Sequence, residues 1–189
     1  MNHDLTVEAH GLRLRPVRIS DAGFIVLLRN SPHALGNVGD SAAEIAAQEK
    51  WLLDYFSRPN DYYFIIESRS GGRPVGTVGI YDVTNTTGEW GRWIVTRGVF
   101  AGPGSAWLAF HVCFDLLHLQ TVLGHVVETN RAVLSFHQKI GFPIIGLATE
   151  PRTIGGSAIR MVALRASTQD WPTISSKLQV YARAAERFL

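Results

Sequence analysis

Residues 105–119, SAWLAFHVCFDLLHL, carry apolar side chains around most of a helical surface. A helix of that kind has no wide polar face to give to water, so it must be packed hard against a sheet. The strand-like run GEWGRWIV at 88–95 precedes it, and Gly102, Pro103 and Gly104 separate the two. Proline is favoured in the first turn of a helix, so this punctuation marks a helix start as well as a strand end. TVLGHVVE at 121–128 then reads as a further strand. A strand, a covered helix and another strand in succession point to an α/β domain.

The remaining elements follow from hydrophobic period and turn chemistry. LRLRPV at 12–17 alternates apolar with polar and reads as a half-buried first strand. Ser20 and Asp21 offer N-cap chemistry for a helix to about Asn30, where Ser31 and Pro32 stop it. HALGNVGD at 33–40 reads as a loop, and helical spacing predicts a second helix from about Ser41 to Ser57. YYFIIESR and PVGTVGIYDV, separated by Gly71 and Gly72, read as strands; NTTG separates the second from GEWGRWIV. NRAVLSFHQKIGF reads as a helix ending at Gly141, and PIIGLAT and AIRMVALR as the last two strands. The tail TISSKLQVYARAAERFL reads as an amphipathic helix.

At 189 residues the chain is the size of one domain. Apolar residues at 46% and charged residues at 18% give the balance of a folded protein. A net charge of +2 lacks the basic stripe that a nucleic-acid partner requires. Cys113 is the single cysteine, so neither an intramolecular disulfide nor a thiolate metal cluster within the chain is expected; it reads as a core thiol. His10, His33, His111, His118 and His125 show no metal-ligand spacing, most reading as surface or packing groups, and no metal is implied. Trp90, Trp93 and Trp107 read as core aromatics. The N-terminus has no apolar signal region, and His111 and Asp115 interrupt the most apolar stretch, so no membrane association and a cytoplasmic location are expected.

The strand, glycine loop, helix, strand and Asn-to-GF helix arrive in an order that resembles the GNAT superfamily of N-acetyltransferases, over about residues 12–171. The most specific part runs from Asn130 to Phe142: an Asn, a small residue soon after, a ring-bearing residue seven positions on, then Gly-Phe. The resemblance implies an α/β (α+β) fold: a single domain over 1–189, with a mixed central sheet of about seven strands flanked by helices and a C-terminal helical extension from about 172. It also implies acetyl-CoA as cosubstrate, a primary amine as acceptor, and direct attack of that amine on the thioester. A homodimer is compatible with this reading.

Helix N-termini present unpaired N–H groups, and glycine lets a pyrophosphate come close to the backbone. By resemblance Gly102, Gly104, Ser105 and Ala106 are the pyrophosphate-binding candidates, and the amides of Ile94 and Val95 meet the pantetheine arm and the thioester carbonyl. Val99 stands where the family usually has a basic or amide residue, and Arg97 lies two positions earlier. Asn130 reads either as a CoA contact or as a plain N-cap.

Acetyl transfer needs a neutral amine, a donor for the tetrahedral oxyanion and a way to discharge the thiolate. Glu89 occupies the place of the family's general base, directly or through water, and otherwise reads as a solvent-facing strand residue or a partner of Arg92. His137 stands where the family usually has a tyrosine acid; seven residues span nearly two helical turns, so it shares a face with Asn130. Its other reading is a hydrogen-bonded core histidine.

Arg29, Asn30 and His33, then Gln48, Trp51, Tyr55 and DYYFII, resemble the GNAT members that acetylate nucleotide-linked amino sugars. Asn30, His33 and Tyr81 are the substrate-facing candidates, although Asn30 also suits a helix end and Tyr81 suits packing. The alternatives are an acetyltransferase of ribosomal-protein N-termini and a non-catalytic CoA-binding module.

Overall fold

A computed structural model describes residues 2–39 and 42–189. The alternating run forms β2 (Leu12–Pro16), with Leu12 and Leu14 buried and Arg13 turned outward. Ahead of it lies a strand the hydrophobic pattern did not indicate, β1 (Val7–Ala9), paired antiparallel with β2. His10 and Gly11 join them with φ of 53° and 70°, the two successive positive values that a tight hairpin turn demands.

A 3₁₀ turn (Ile19–Asp21) leads into α1 (Ala22–Arg29). Asp21 does not cap α1. Its carboxylate accepts the Arg18 N–H at 2.7 Å and a bidentate pair from Arg15 at 2.8 Å, tying β2 to the helix start. The second helix, α2 (Ile45–Tyr55), is shorter than the spacing suggests, and the expected first residue, Ser41, lies outside the described residues.

Next come β3 (Tyr62–Ser68), β4 (Pro74–Tyr81) and β5 (Thr87–Val95). The apolar helix forms as α3 (Gly102–His111) and continues into a π turn at Val112–Leu116. β6 (Thr121–Val127), α4 (Arg131–Ile140) and β7 (Ile144–Leu147) follow. The segment read as one last strand is two, because Arg160 divides it. β8 (Arg152–Ile154) and β9 (Ser157–Ile159) make a separate hairpin, and β10 (Met161–Ser167) joins the main sheet. α5 (Trp171–Glu186) ends the chain.

Among the described residues the main sheet has eight strands in the order β1-β2-β3-β4-β5-β6-β10-β7, with β5 and β6 parallel and the other neighbours antiparallel. α3 makes the crossover between the parallel pair. Trp90 of β5 meets Phe110 of α3 with ring centroids 4.6 Å apart, and Phe110 meets Phe142 at 5.1 Å. α5 covers the other side of α3 with Ile174, Leu178 and Ala182 buried at four-residue intervals. The sheet on one side and α5 on the other account for a helix that is apolar nearly all round. Cys113 sits in this core, where burial pushes its thiol pKa far up. No helix among the described residues is long and apolar enough to cross a membrane.

β4 and β5 approach closely at Gly76. A Cβ there would collide with the Ile94 carbonyl oxygen and lie 3.2 Å from the Val95 Cα. Backbone cannot swing aside as a side-chain tip can. Gly76→Ala is therefore expected to lower stability by about 1–3 kcal/mol, read from the urea midpoint; an unchanged midpoint would show that the strands part at no cost.

Candidate active site

β5 and β6 pair only over Thr87–Glu89 against Thr121–Leu123, although β5 continues to Val95 and β6 to Val127. Past Glu89 and Leu123 the strands diverge. The wedge between them opens into a cavity of about 770 Å³. Its walls are β5 from Trp90, the segment 96–99, His125 and Val126 of β6, and the inner face of α4. The region between α1 and α2 closes one end, with Arg152, Ile154 and Met161 beside it.

β5 is bulged where it leaves β6. Arg92 adopts φ of 49°, and the register with β4 shifts between Thr77 and Gly79. Three hydrogen bonds hold this residue: Thr77 Oγ1 donates to the Arg92 carbonyl at 2.8 Å, and the Arg92 guanidinium grips Asp61 with both terminal nitrogens at 2.5 and 2.8 Å. Burial works against the Arg92 charge, but the hydrogen bonds to Asp61 outweigh it and hold the pKa above its ordinary value.

Beyond the bulge the Thr96 N–H donates to Val75 O on β4. By strand alternation the Ile94 amide also faces β4, whereas the Val95 amide faces the wedge. His33 Nε2 lies 3.1 Å from the Val95 carbonyl on that side. Of the two amides expected to meet the thioester arm, Val95 therefore offers its N–H to the wedge; Ile94 reaches the cavity with its side chain.

At the start of α3 the expected pyrophosphate residues separate. Gly102 lines the cavity together with Arg97, Gly98 and Val99. Gly104, Ser105 and Ala106 are buried beneath it. A Cβ on Gly104 would stand 2.9 Å from Leu12 Cδ1, so this glycine serves the packing of α3 on β2. The Ser105 N–H is spent on Ala101 O, and its hydroxyl accepts from Trp93 Nε1 at 3.0 Å while donating to Gly102 O at 3.1 Å. The exposed part of the loop thus begins nearer to Arg97 than the glycine pattern suggests.

Asn130 caps α4, its Oδ1 accepting the Val133 N–H at 3.3 Å, and it lines the cavity as well. The N-cap reading is met, and capping does not take Asn130 away from the cavity wall. Asn30 is different: its amide donates to Val26 O and Ala42 O, and it terminates α1 away from the cavity lining.

Glu89 stands back from the cavity; the side chains touching its carboxylate line it instead. The Tyr81 hydroxyl donates to Glu89 Oε1 at 2.8 Å, His125 Nδ1 lies 3.1 Å from the same oxygen, and Arg152 Nη2 lies at 3.5 Å. Burial, and then the Glu89 charge, push the Tyr81 pKa well above its usual range, so the hydroxyl keeps its proton. His125 and Arg152 line the candidate site, and the sequence reading did not single them out for it. The available signal was a lone imidazole inside the apolar run TVLGHVV.

His137 lines the cavity floor but is only 2% exposed, ringed by Trp90 and Phe142 at centroid distances of 5.5 Å. Its Nδ1 is 2.7 Å from Val133 O, an atom that can only accept, so Nδ1 carries the hydrogen and Nε2 the lone pair. Burial lowers the pKa to about 4. A neutral ring in this tautomer has no Nε2 proton to give a leaving thiolate, which runs against the expected acid role and fits the core histidine.

Residues 11–143 match the family model of the acetyltransferase (GNAT) domain. The chain belongs to the GNAT acetyltransferase family. FdhC, a nucleotide-linked sugar GNAT, has a similar structure at a TM-score of 0.78 and 27% identity, over 97% of this chain and 99% of that one. A GCN5-related N-acetyltransferase from Brucella melitensis superimposes at a TM-score of 0.81 and 15% identity, over 95% and 86%. The ribosomal-protein-S5-alanine acetyltransferase from Vibrio fischeri does so at 0.72 and 17%, over 89% and 99%. These last two establish the fold alone. No curated protein sequence matches the chain. As a GNAT domain the chain is an acyltransferase, and acetyl-CoA is the cosubstrate its family implies.

The state of His137 can be tested through linkage. Its folded pKa is lowered, so on acidification the unfolded chain takes up the proton first. The contribution to stability is complete above pH 6.5 and is lost as the pH falls toward about 4. The steepest slope is about 1.4 kcal/mol per pH unit. His3 and His10 are lowered by burial too and add the same sign, so the comparison must be with a variant. Urea unfolding between those limits should give a flatter pH dependence for His137→Gln than for the parent chain; parallel curves would mean that His137 titrates alike in both states.

Proposed function

We propose that this GNAT enzyme transfers the acetyl group of acetyl-CoA to the amine of a nucleotide-linked amino sugar. The observation that carries the reading is the likeness to FdhC along nearly the whole of both chains. The cavity supports it. A nucleotide sugar needs room for a base, a diphosphate and a hexose, and about 770 Å³ within one continuous wall accommodates parts of both substrates. Arg29, Arg97 and Arg152 line it, giving the wall a cationic character suited to phosphates. Trp51 adds a flat aromatic surface at the α2 side, stacked on Tyr55 at 5.7 Å.

In this reading acetyl-CoA enters between β5 and β6. Its pyrophosphate meets the backbone from Gly98 to Gly102, where the helix start favours anions, and Asn130 and Ile94 contact its arm. The thioester carbonyl accepts from the Val95 N–H, which can follow the oxygen as negative charge develops. The amine approaches from the side of His33 and Tyr81, attacks the carbonyl carbon, and the carbon–sulfur bond breaks with its electron pair going to sulfur. Glu89 stands behind Tyr81 and His125, so the amine proton leaves toward this cluster and not directly to the carboxylate. His137 shapes the floor, and the thiolate departs without help from its ring.

The ribosomal N-terminal alternative rests on the fold alone. In thiol-release assays with acetyl-CoA, a nucleotide-linked 4-amino-4,6-dideoxyhexose should be acetylated with kcat/KM at least about tenfold above any N-terminal peptide, a difference of 1.4 kcal/mol in transition-state stabilisation. Equal or faster turnover of the peptide would transfer the assignment to protein N-termini.

A further inference from the structure

We infer that His125 is the catalytic residue that takes the amine proton, and that Glu89 is its positioning residue. The inference rests on the acetyltransferase reading of this cavity and holds for whichever amine occupies it. Four observations converge on it.

The first is place. His125 lies on β6 two residues beyond Leu123, the last β6 residue paired with β5, and so at the point where the wedge opens. Val95, whose amide is offered to the thioester, stands on the opposite wall. His125 is thus the first β6 residue beyond the pairing that lines the cavity.

The second is access. His125 lines the cavity, with 28% of its side chain exposed, whereas Glu89 is 14% exposed and stands behind that lining. A base must come within hydrogen-bond reach of the proton it removes, and the imidazole meets this condition better than the carboxylate.

The third is orientation. His125 Nδ1 is buried, has no hydrogen bond of good angle, and lies 3.1 Å from Glu89 Oε1. An ionised carboxylate only accepts, so it favours the tautomer with hydrogen on Nδ1 and leaves the lone pair on Nε2, the other end of the ring. The Tyr81 hydroxyl donates to the same carboxylate oxygen, and Arg152 approaches it from the β8–β9 hairpin. The carboxylate is thereby kept 3.1 Å from Nδ1, where its charge favours this placement of the ring.

The fourth is elimination within the site. The other imidazoles at the cavity are committed elsewhere: His137 has its Nδ1 on Val133 O and is buried, and His33 has its Nε2 at the Val95 carbonyl. Tyr81 keeps its proton on Glu89.

The step balances with these groups alone. As the nitrogen–carbon bond forms, Nε2 accepts one proton from the amine, and Glu89 stabilises the resulting imidazolium. The carbon–sulfur bond then breaks with its pair on sulfur, the imidazolium returns the proton to the thiolate, and amide and free CoA leave.

The test uses full-length protein with acetyl-CoA and three acceptors in parallel: the nucleotide-linked amino sugar, an N-terminal peptide, and water, whose slow attack on the thioester needs the same proton removal. Failure of the sugar with success of the peptide would overturn the substrate reading and leave His125 to be judged on the peptide; failure of both leaves thioester hydrolysis as the measure. His125→Ala should lose kcat by about a hundredfold to ten-thousandfold, with KM for acetyl-CoA little changed, and added imidazole should restore part of the rate in a saturable manner. His125→Asn keeps an N–H near the position of Nδ1 but has no basic nitrogen, so it should be as slow as the alanine variant. Glu89→Gln should lower kcat without imidazole rescue, and Glu89→Asp should recover part of it. Activity near that of the parent in His125→Asn, or a folded His125→Ala that imidazole leaves unchanged, would overturn the inference.

Discussion

The parting of β5 from β6 is the constraint on which the rest of this structure depends. After three paired residues on each strand the parallel ladder stops, and the remaining amides and carbonyls on the facing edges need other partners. Interior backbone without partners is costly, so such an opening persists only where another molecule or solvent can enter. The opening creates both the cavity and its chemistry: Val95 can offer an amide to a carbonyl only because β6 does not take it.

The divergence is held by contacts on the far side of β5. Arg92 occupies a left-handed conformation that side-chain-bearing residues seldom adopt, which costs on the order of 1–3 kcal/mol. Thr77 and Asp61 fix it there, and the guanidinium rests 4.5 Å from the Tyr81 ring. Because Tyr81 in turn holds Glu89, the bulge and the cluster of Tyr81, Glu89 and His125 are mechanically joined. Beneath them Trp90, Phe110, Phe142 and His137 form a packed floor of rings. A polar ring survives in that floor because its N–H is satisfied within its own helix.

Much of this was legible in the chain itself. The helix from Arg131 to Ile140 is bounded by an Asn cap and by Gly141 at φ of 83°, both local devices written in neighbouring residues. Strands β3, β4 and β5 lie close to the segments their alternation and turns indicate. The missed strand β1 is three residues long, too short to show a period, and exists because β2 lends it a ladder. The glycine pattern indicated the right loop but not its facing: Gly102 opens to the cavity while Gly104 opens to Leu12, a distinction made by how α3 rolls on the sheet.

The sequence by itself determined the order of the helices and longer strands of the core, the covered central helix and the family, since each depends on periodicity, caps or motif spacing within a short stretch of chain. Only the tertiary structure decided which side chains meet. His125 and Glu89 sit on neighbouring strands joined through a helix, and their 3.1 Å approach depends on the parallel register and on the point where it ends. Arg152 arrives from a hairpin outside the main sheet, and burial among Trp90 of β5 and Phe142 lowers the His137 pKa. Burial and long-range register are properties of the assembled chain, so an imidazole in the sequence has no assigned proton until the fold supplies its neighbours.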